Sequence, residues 1–326
     1  MRLALSALLV SLLTASGCAL DTETTASTSS SLAEVEGDHD HESVAFDAPL
    51  GSAARLTHGE FGFTMLDIGQ GDSAVVLAPH GCVALLDAGP QGSAATIKSY
   101  LHSLGVTQID FAVVSHYHED HLGGLDDVER GDGAIPIAKV YDRGGSYSSA
   151  TYTAYTSQFR DRRTTVAAND HFSLCGEVSF AVMAADANGA STNDENARSV
   201  AVKVSFGSLD ILVGGDLTSR VEDTITSSVG EIEIYKVHHH GSAGSSSAQF
   251  LAGTRPTVSL ISVAEHNSYG HPTQATLSRL DAAGSAVWRT AGSATTRGHI
   301  EVSSTDGHTY TVTKNNDSTT YTSKPD

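Results

Sequence analysis

The stretch that most constrains this chain is Ser115-His116-Tyr117-His118-Glu119-Asp120-His121-Leu122-Gly123-Gly124, directly after the apolar run Ile109-Asp110-Phe111-Ala112-Val113-Val114. That run has the β-branched bias of a buried strand. Three imidazoles and a carboxylate therefore leave one strand end within six positions. A loop at a strand end can aim such side chains at one point, and neutral imidazole with carboxylate suits a borderline-soft divalent metal. Gly123 and Gly124 then let backbone approach closely, as a loop folded around ions needs. The competing reading is a His-rich surface loop. His-x-His-x-Asp-His between a buried strand and Gly-Gly is far more specific than a single histidine, so the pattern predicts a metal site.

A chain of 326 residues can build one large core or two small ones. With 31 glycines and only 6% aromatic residues, short strands and turns are expected rather than long amphipathic helices. Residues 1–18 read as a lipoprotein-type signal peptide: a basic start at Arg2, an apolar stretch over 3–13 too short to span a bilayer, then small residues before Cys18, the expected lipidation site. Residues 19–55 are Ser/Thr-rich and then acidic, with Glu34, Glu36, Asp38, Asp40, Glu42 and Asp47 and, over residues 21–49, no Lys or Arg. They are expected to form a disordered tether, with a folded domain over 56–314 and a flexible tail over 315–326. The only membrane contact expected is through the N-terminal lipid, and the chain is expected to be exported, anchored at a bacterial cell envelope or secreted.

The net charge is −19. Residues 1–50 hold eight acids and one base, leaving 30 acids and 18 bases beyond them, a balance of −12. That sign opposes non-specific nucleic-acid binding, although bound metals would supply local positive charge. Apart from Cys18, only Cys82 and Cys175 remain. Both sit at strand edges, as a disulfide in an oxidising compartment or as two buried thiols, and neither lies beside the histidines.

Strands are expected at 61–68, 74–78, 83–87, 109–114, 137–141, 164–166, 172–174, 178–182, 199–206, 209–213, 232–237, 258–263 and near 287, 299–302 and 310–312. Helices are expected at 93–104, with Ser93 as N-cap and Gly105 as stop, at 152–159 and at 274–283. Two packed sheets flanked by helices, an α/β architecture, is the most economical arrangement. Two further strand ends carry suitable chemistry. Asp216 closes Ile211-Leu212-Val213-Gly214-Gly215, and His238-His239-His240-Gly241-Ser242 follows the strand at 232–237. Three successive histidines on an extended chain cannot all face one point, because neighbours alternate sides.

The HxHxDH loop resembles that of the metallo-β-lactamase-fold hydrolases. Asp67-Ile68-Gly69-Gln70-Gly71-Asp72-Ser73, an Asn/Ser stretch, Gly214-Gly215-Asp216, His239-His240-Gly241-Ser242 and Asn267-Ser268-Tyr269-Gly270-His271-Pro272 follow in order. Over about residues 60–303 this combination resembles the extracellular metallo-β-lactamase domain of ComEC-type DNA-uptake proteins and their stand-alone relatives. The resemblance implies an αββα sandwich of two mixed sheets and a site for two divalent metals, zinc first and manganese second. It assigns His116 and His118 to one metal and Asp120 and His121 to the other, with Asp120 also orienting the nucleophilic water. It makes Asp216 the bridging carboxylate and His240 the last ligand, with His239 as a substrate or proton-transfer contact.

The wider fold often carries one more ligand histidine between the loop and the bridging aspartate. The only histidine in that interval is His171, far upstream of Asp216 and expected to be structural. Asn196 or Ser199 is expected to complete the first metal's shell instead. Asp67, Asp72 and Asp87 are expected to stand behind the histidines and fix their tautomers. Asn267, Tyr269 and His271 are expected to face substrate, and His239 or His271 to protonate the leaving oxygen. The implied activity is hydrolysis of a phosphodiester, DNA first and phosphorylcholine-type small esters second. A non-catalytic surface-binding lipoprotein is a rival reading, and lactone or β-lactam hydrolysis rests on fold analogy alone.

Overall fold

The computed structural model describes residues 59–324. The signal segment, Cys18 and the tether lie outside the described residues.

The strands β1 (Phe61–Met65), β2 (Ala74–Leu77) and β3 (Val83–Leu86) form an antiparallel meander. Parallel strands β4 (Phe111–Val113), β5 (Val140–Asp142) and β6 (Arg163–Thr165) extend it. Parallel neighbours need crossovers, and helices α1 (Ala94–Ser103), α2 (Glu119–Leu122), α3 (Leu125–Val128) and α4 (Ala150–Phe159) supply them. The second sheet repeats the plan. Its antiparallel part is β7 (His171–Leu174), β8 (Val178–Ala184), β9 (Ala201–Phe206) and β10 (Leu209–Val213). Its parallel part is β11 (Ile234–Lys236), β12 (Val258–Ile261) and β13 (Ala286–Arg289), connected through α5 (Ser219–Val229), α6 (Ala248–Thr254) and α7 (Gln274–Ala282). The chain then returns to pair β14 (Ile300–Ser304) with β1, followed by β15 (Thr309–Lys314) and β16 (Asp317–Thr322). The strand orders are β16-β15-β14-β1-β2-β3-β4-β5-β6 and β13-β12-β11-β10-β9-β8-β7.

Three apolar layers hold this arrangement. Phe63, Val76, Phe111, Phe180, Val202 and Ile211 fill the space between the sheets. Ile97, Leu101, Val114 and Phe159 pack the first sheet against its helices, and Leu212, Ile225, Phe250 and Leu280 do so for the second. A strand covered on both faces is buried at every position rather than every second one, as β1, β3 and β12 are, with Thr64 and Ser259 their only polar residues. The expected αββα sandwich of two mixed sheets is the observed one.

The structure departs from the sequence expectations in several places. Where a flexible tail over 315–326 was expected, residues 317–322 form an edge strand, with Tyr321 stacked on Tyr310 at 5.5 Å. Ser93 makes no side-chain cap to α1. Helices α5 and α6 were not foreseen, although Val221, Ile225 and Val229 lie at four-residue intervals ahead of Gly230. The cysteines resolve in favour of pairing. A Cys82–Cys175 disulfide joins the start of β3 to the β7–β8 turn and so ties one sheet to the other, away from the carboxyl ends where the histidines gather.

Candidate metal centre

The metal loop leaves β4 on a backbone fixed from both sides. The Ser115 N–H donates to Asp87 Oδ1 and its hydroxyl to Oδ2, both at 2.7 Å. The Tyr117 N–H donates to Glu195 Oε1 at 2.9 Å, and Arg143 holds that carboxylate with two donors at 2.9 and 2.7 Å. Asp72 donates its N–H to the Asp120 carbonyl at 3.0 Å, which docks the Gly69–Asp72 turn onto the loop. This approach requires Gly71: its φ is +133°, and a methyl group there would overlap the Asp120 carbonyl. Gly215, at φ +51°, sits equally tightly against the Ser115 hydroxyl. Gly215→Ala is expected to lower stability by about 2 kcal/mol and to reduce metal uptake by displacing Asp216. Urea denaturation and elemental analysis read these two effects.

The side chains converge as the histidine spacing predicts. His121 Nε2 lies 3.2 Å from Asp216 Oδ1 and 3.7 Å from Asp120 Oδ2. His240 Nε2 lies 3.3 Å from Asp120 Oδ2 and 3.5 Å from Asp216 Oδ1. His116 Nε2 and His118 Nδ1 face each other at 3.0 Å, and the His116 ring lies 4.2 Å from that of His121. The opposite ring nitrogens are already engaged: His121 Nδ1 with Asp87 Oδ2 and His240 Nδ1 with the Ser262 carbonyl, both at 2.9 Å. The Nε2 atoms of His121 and His240 and Oδ1 of Asp216 are buried, and none has a hydrogen-bond partner. Buried polar atoms without partners are costly, and imidazole and carboxylate donors pooled at one point are what a divalent cation satisfies. The residues present therefore fit a metal.

Donor atoms of Asp72, His121, Asp216 and His240 lie within 4.8 Å of one another. Asp72 approaches from the wrong side to share an Nε2-bound ion. Its oxygens are 3.4 Å from His240 Nδ1 and 3.6 Å from His121 Nδ1. It stands behind the rings, as Asp87 does, whereas Asp120 faces the Nε2 atoms and completes the front.

Charge balance accounts for the proton affinities. Burial disfavours the His121 imidazolium, but the Asp216 and Asp120 carboxylates outweigh it and raise its pKa well above the usual value. The same contest, with Asp216 and Asp72 as the acids, raises His240. Burial would raise Asp216, but His121 and His240 hold it well below the ordinary carboxylate range. Burial, then repulsion from His121, pushes His116 far down. Burial lowers His239, and burial followed by repulsion from His239 lowers His271 to about 4.

The left-handed conformations of His239 and His240, at φ 53° and 51°, break the strand alternation and let both reach Asp216. His239 is 27% exposed, with Nε2 3.5 Å from Asp216 Oδ2. His238 is the extra one, as the family's His-His-Gly-Ser pattern implied: it is buried and hydrogen-bonded to Glu222 Oε1 at 2.7 Å. The His271 ring meets His239 edge-on at 5.4 Å, and exposed Tyr269 stacks on His271 at 5.8 Å. The Ser199 hydroxyl accepts the Asp216 N–H at 3.3 Å, and Asn196 Oδ1 is buried without a partner.

Two expected roles are corrected. Asp67 does not stand behind the histidines, because Arg297 takes its carboxylate with two bonds at 2.7 and 3.0 Å. Asn267 does not offer its amide to substrate, because it bonds the carbonyls of Ala264 and His271 and the His271 N–H, and so builds its own loop. His171 is an exposed residue at the start of β7. Sequence reasoning missed Glu222, Glu195 and Lys236. For Lys236 a signal existed, since a lone cation inside Ile234-Tyr235-Lys236-Val237 contradicts a buried strand.

Residues 66–154 match the family model described as the Metallo-beta-lactamase superfamily. The chain is 30% identical over 240 residues to Competence protein ComA of Neisseria gonorrhoeae, covering 72% of this chain and 32% of that protein. It is 26% identical over 257 residues to ComE operon protein 3 of Bacillus subtilis, covering 69% of this chain and 31% of that protein. The chain thus spans about a third of the length of these curated relatives. Among solved structures, the metallo-beta-lactamase fold protein YhfI from Bacillus subtilis aligns with a TM-score of 0.45 at 10% identity, covering 71% of this chain and 96% of that one. With the paired mixed sheets and the histidine loop at the end of β4, the family match over residues 66–154 and the two competence relatives identify a metallo-β-lactamase-fold chain that is similar to one portion of the ComEC-type competence proteins.

Proposed function

We propose that the chain is an exported metal-dependent hydrolase, a phosphodiesterase that acts on DNA through a two-metal centre. The observation that carries this reading is the trio of buried, unpartnered donor atoms: His121 Nε2, His240 Nε2 and Asp216 Oδ1. His121, His240, Asp120 and Asp216 would hold one cation, and His116 and His118 with Asp216 the other, with Asn196 beside them. Cations there would make water a nucleophile at neutral pH and neutralise charge developing on the phosphoryl oxygens. The chain's own residues do the rest. Asp120, with its side chain 32% exposed, would orient the attacking water. Attack on phosphorus breaks the phosphorus–oxygen ester bond, and His239 or His271, neutral at the rim, would take the proton the attacking water gives up and pass it to the departing oxygen. Tyr269 and His271 flank the approach.

Similarity to the competence proteins supports a polynucleotide, and the disulfide supports export, since such bonds persist in oxidising compartments. Attachment to the envelope would run through Cys18. The −12 balance beyond residue 50 favours small phosphodiesters, such as phosphorylcholine esters, as the second reading. The full chain loaded with Mn²⁺ or Zn²⁺ and given single-stranded DNA, duplex DNA and p-nitrophenylphosphorylcholine distinguishes these readings. DNA is expected to be cut and a chelator to stop it. Turnover of the small ester alone would move the assignment to the second reading, and no cleavage with either metal would overturn the phosphodiesterase assignment.

A further inference from the structure

Lys236 ends β11 with its side chain only 2% exposed. Its Nζ donates to the Gly215 carbonyl at 3.0 Å and forms an ion pair with Asp72. Three segments therefore meet on one buried ammonium: the turn ending in Asp72, the Gly-Gly turn leading into Asp216, and the strand leading into His238–His240. Burying an ammonium costs several kcal/mol unless it is paired, and an apolar side chain of similar length would fill the same space without that cost. Asp72 in turn lies 3.4 Å from His240 Nδ1 and 3.6 Å from His121 Nδ1.

We propose that Lys236 is a positioning residue for the metal centre, holding the Asp72 carboxylate behind His121 and His240 and the Gly215 carbonyl beside Asp216. This inference rests on the reading that the site binds metal. Without the ammonium, the buried Asp72 carboxylate loses its ion-pair partner and is free to turn toward the cations or to leave the rings unsupported. Both faults reach the metal without touching any of its donors. Partners of this kind, one shell behind the ligands, change metal affinity by about 10- to 100-fold.

The test titrates the metal-free full chain with Co²⁺ and follows its visible absorption, for wild type, Lys236→Met and Asp72→Asn/Lys236→Met. Circular dichroism and thermal melts report folding. The single variant is expected to bind Co²⁺ about 10- to 100-fold more weakly, with an altered spectrum. The double variant removes both charges together, so it is expected to fold with a melting temperature near wild type and still bind weakly. Wild-type affinity and spectrum in the folded double variant would overturn the role of Lys236, as would its failure to fold, because no unpaired charge remains to explain that. Absence of Co²⁺ binding in wild type would overturn the metal reading and this proposal with it.

Discussion

Asp216→Asn is expected to reduce metal-dependent phosphodiester hydrolysis by about 10²- to 10³-fold, the scale on which one preorganised electrostatic group acts. The substitution keeps size and removes charge. Asp216 Oδ1 lies 3.2 Å from His121 Nε2 and 3.5 Å from His240 Nε2, and its other oxygen lies 3.5 Å from His239 Nε2. An amide there offers one neutral oxygen where a carboxylate offered two charged ones, so cation affinity and turnover fall together. The fold should persist, because the Asp216 N–H keeps its bond to Ser199 and Gly215 keeps its turn. Steady-state rates at saturating metal, with circular dichroism as control, give the result. A folded variant with undiminished turnover would contradict the bridging role and the metal mechanism built on it.

The second large effect concerns stability. Opening the Cys82–Cys175 bridge, by Cys82→Ser with Cys175→Ser, is expected to cost about 4 kcal/mol, because a cross-link across 93 residues removes much freedom from the unfolded chain. For a domain of this size that corresponds to roughly 10 °C of melting temperature. The bond joins the two sheets away from the metal loop, so residual activity per folded molecule should stay near wild type. Melts of the oxidised, reduced and doubly substituted chains measure it. Equal melting temperatures would mean that the apolar layer between the sheets alone keeps them together.

Much of this molecule is legible in its residues. The strand-end histidines and the glycines at the tight turns encode local geometry, while the choice of His239 and His240 over His238 came from the family's His-His-Gly-Ser pattern, because left-handed turns at both residues break the simple alternation. What escaped is long-range. Arg297 is 230 positions from Asp67, and nothing near either residue announces that the guanidinium takes that carboxylate. Asn267 looked like a substrate contact because a loop amide has no local sign of whether its partners are in the loop or in solvent. Helix α5 hid because its Ser and Thr residues dilute the apolar spacing, although Val221, Ile225 and Val229 are buried on one face. Residues 317–322 read as tail because an edge strand of Thr and Ser has little burial to mark it, and its pairing with β15 supplies what its composition does not.

The central claim is tested most directly by anomalous scattering from crystals of the natively purified chain, measured at the metal absorption edges. Two ions are expected, one between His121 Nε2, His240 Nε2, Asp120 and Asp216, and one between His116, His118 and Asp216. Diffraction maps with ordered side chains but no anomalous density among these donors, or with metal bound only elsewhere, would contradict the account.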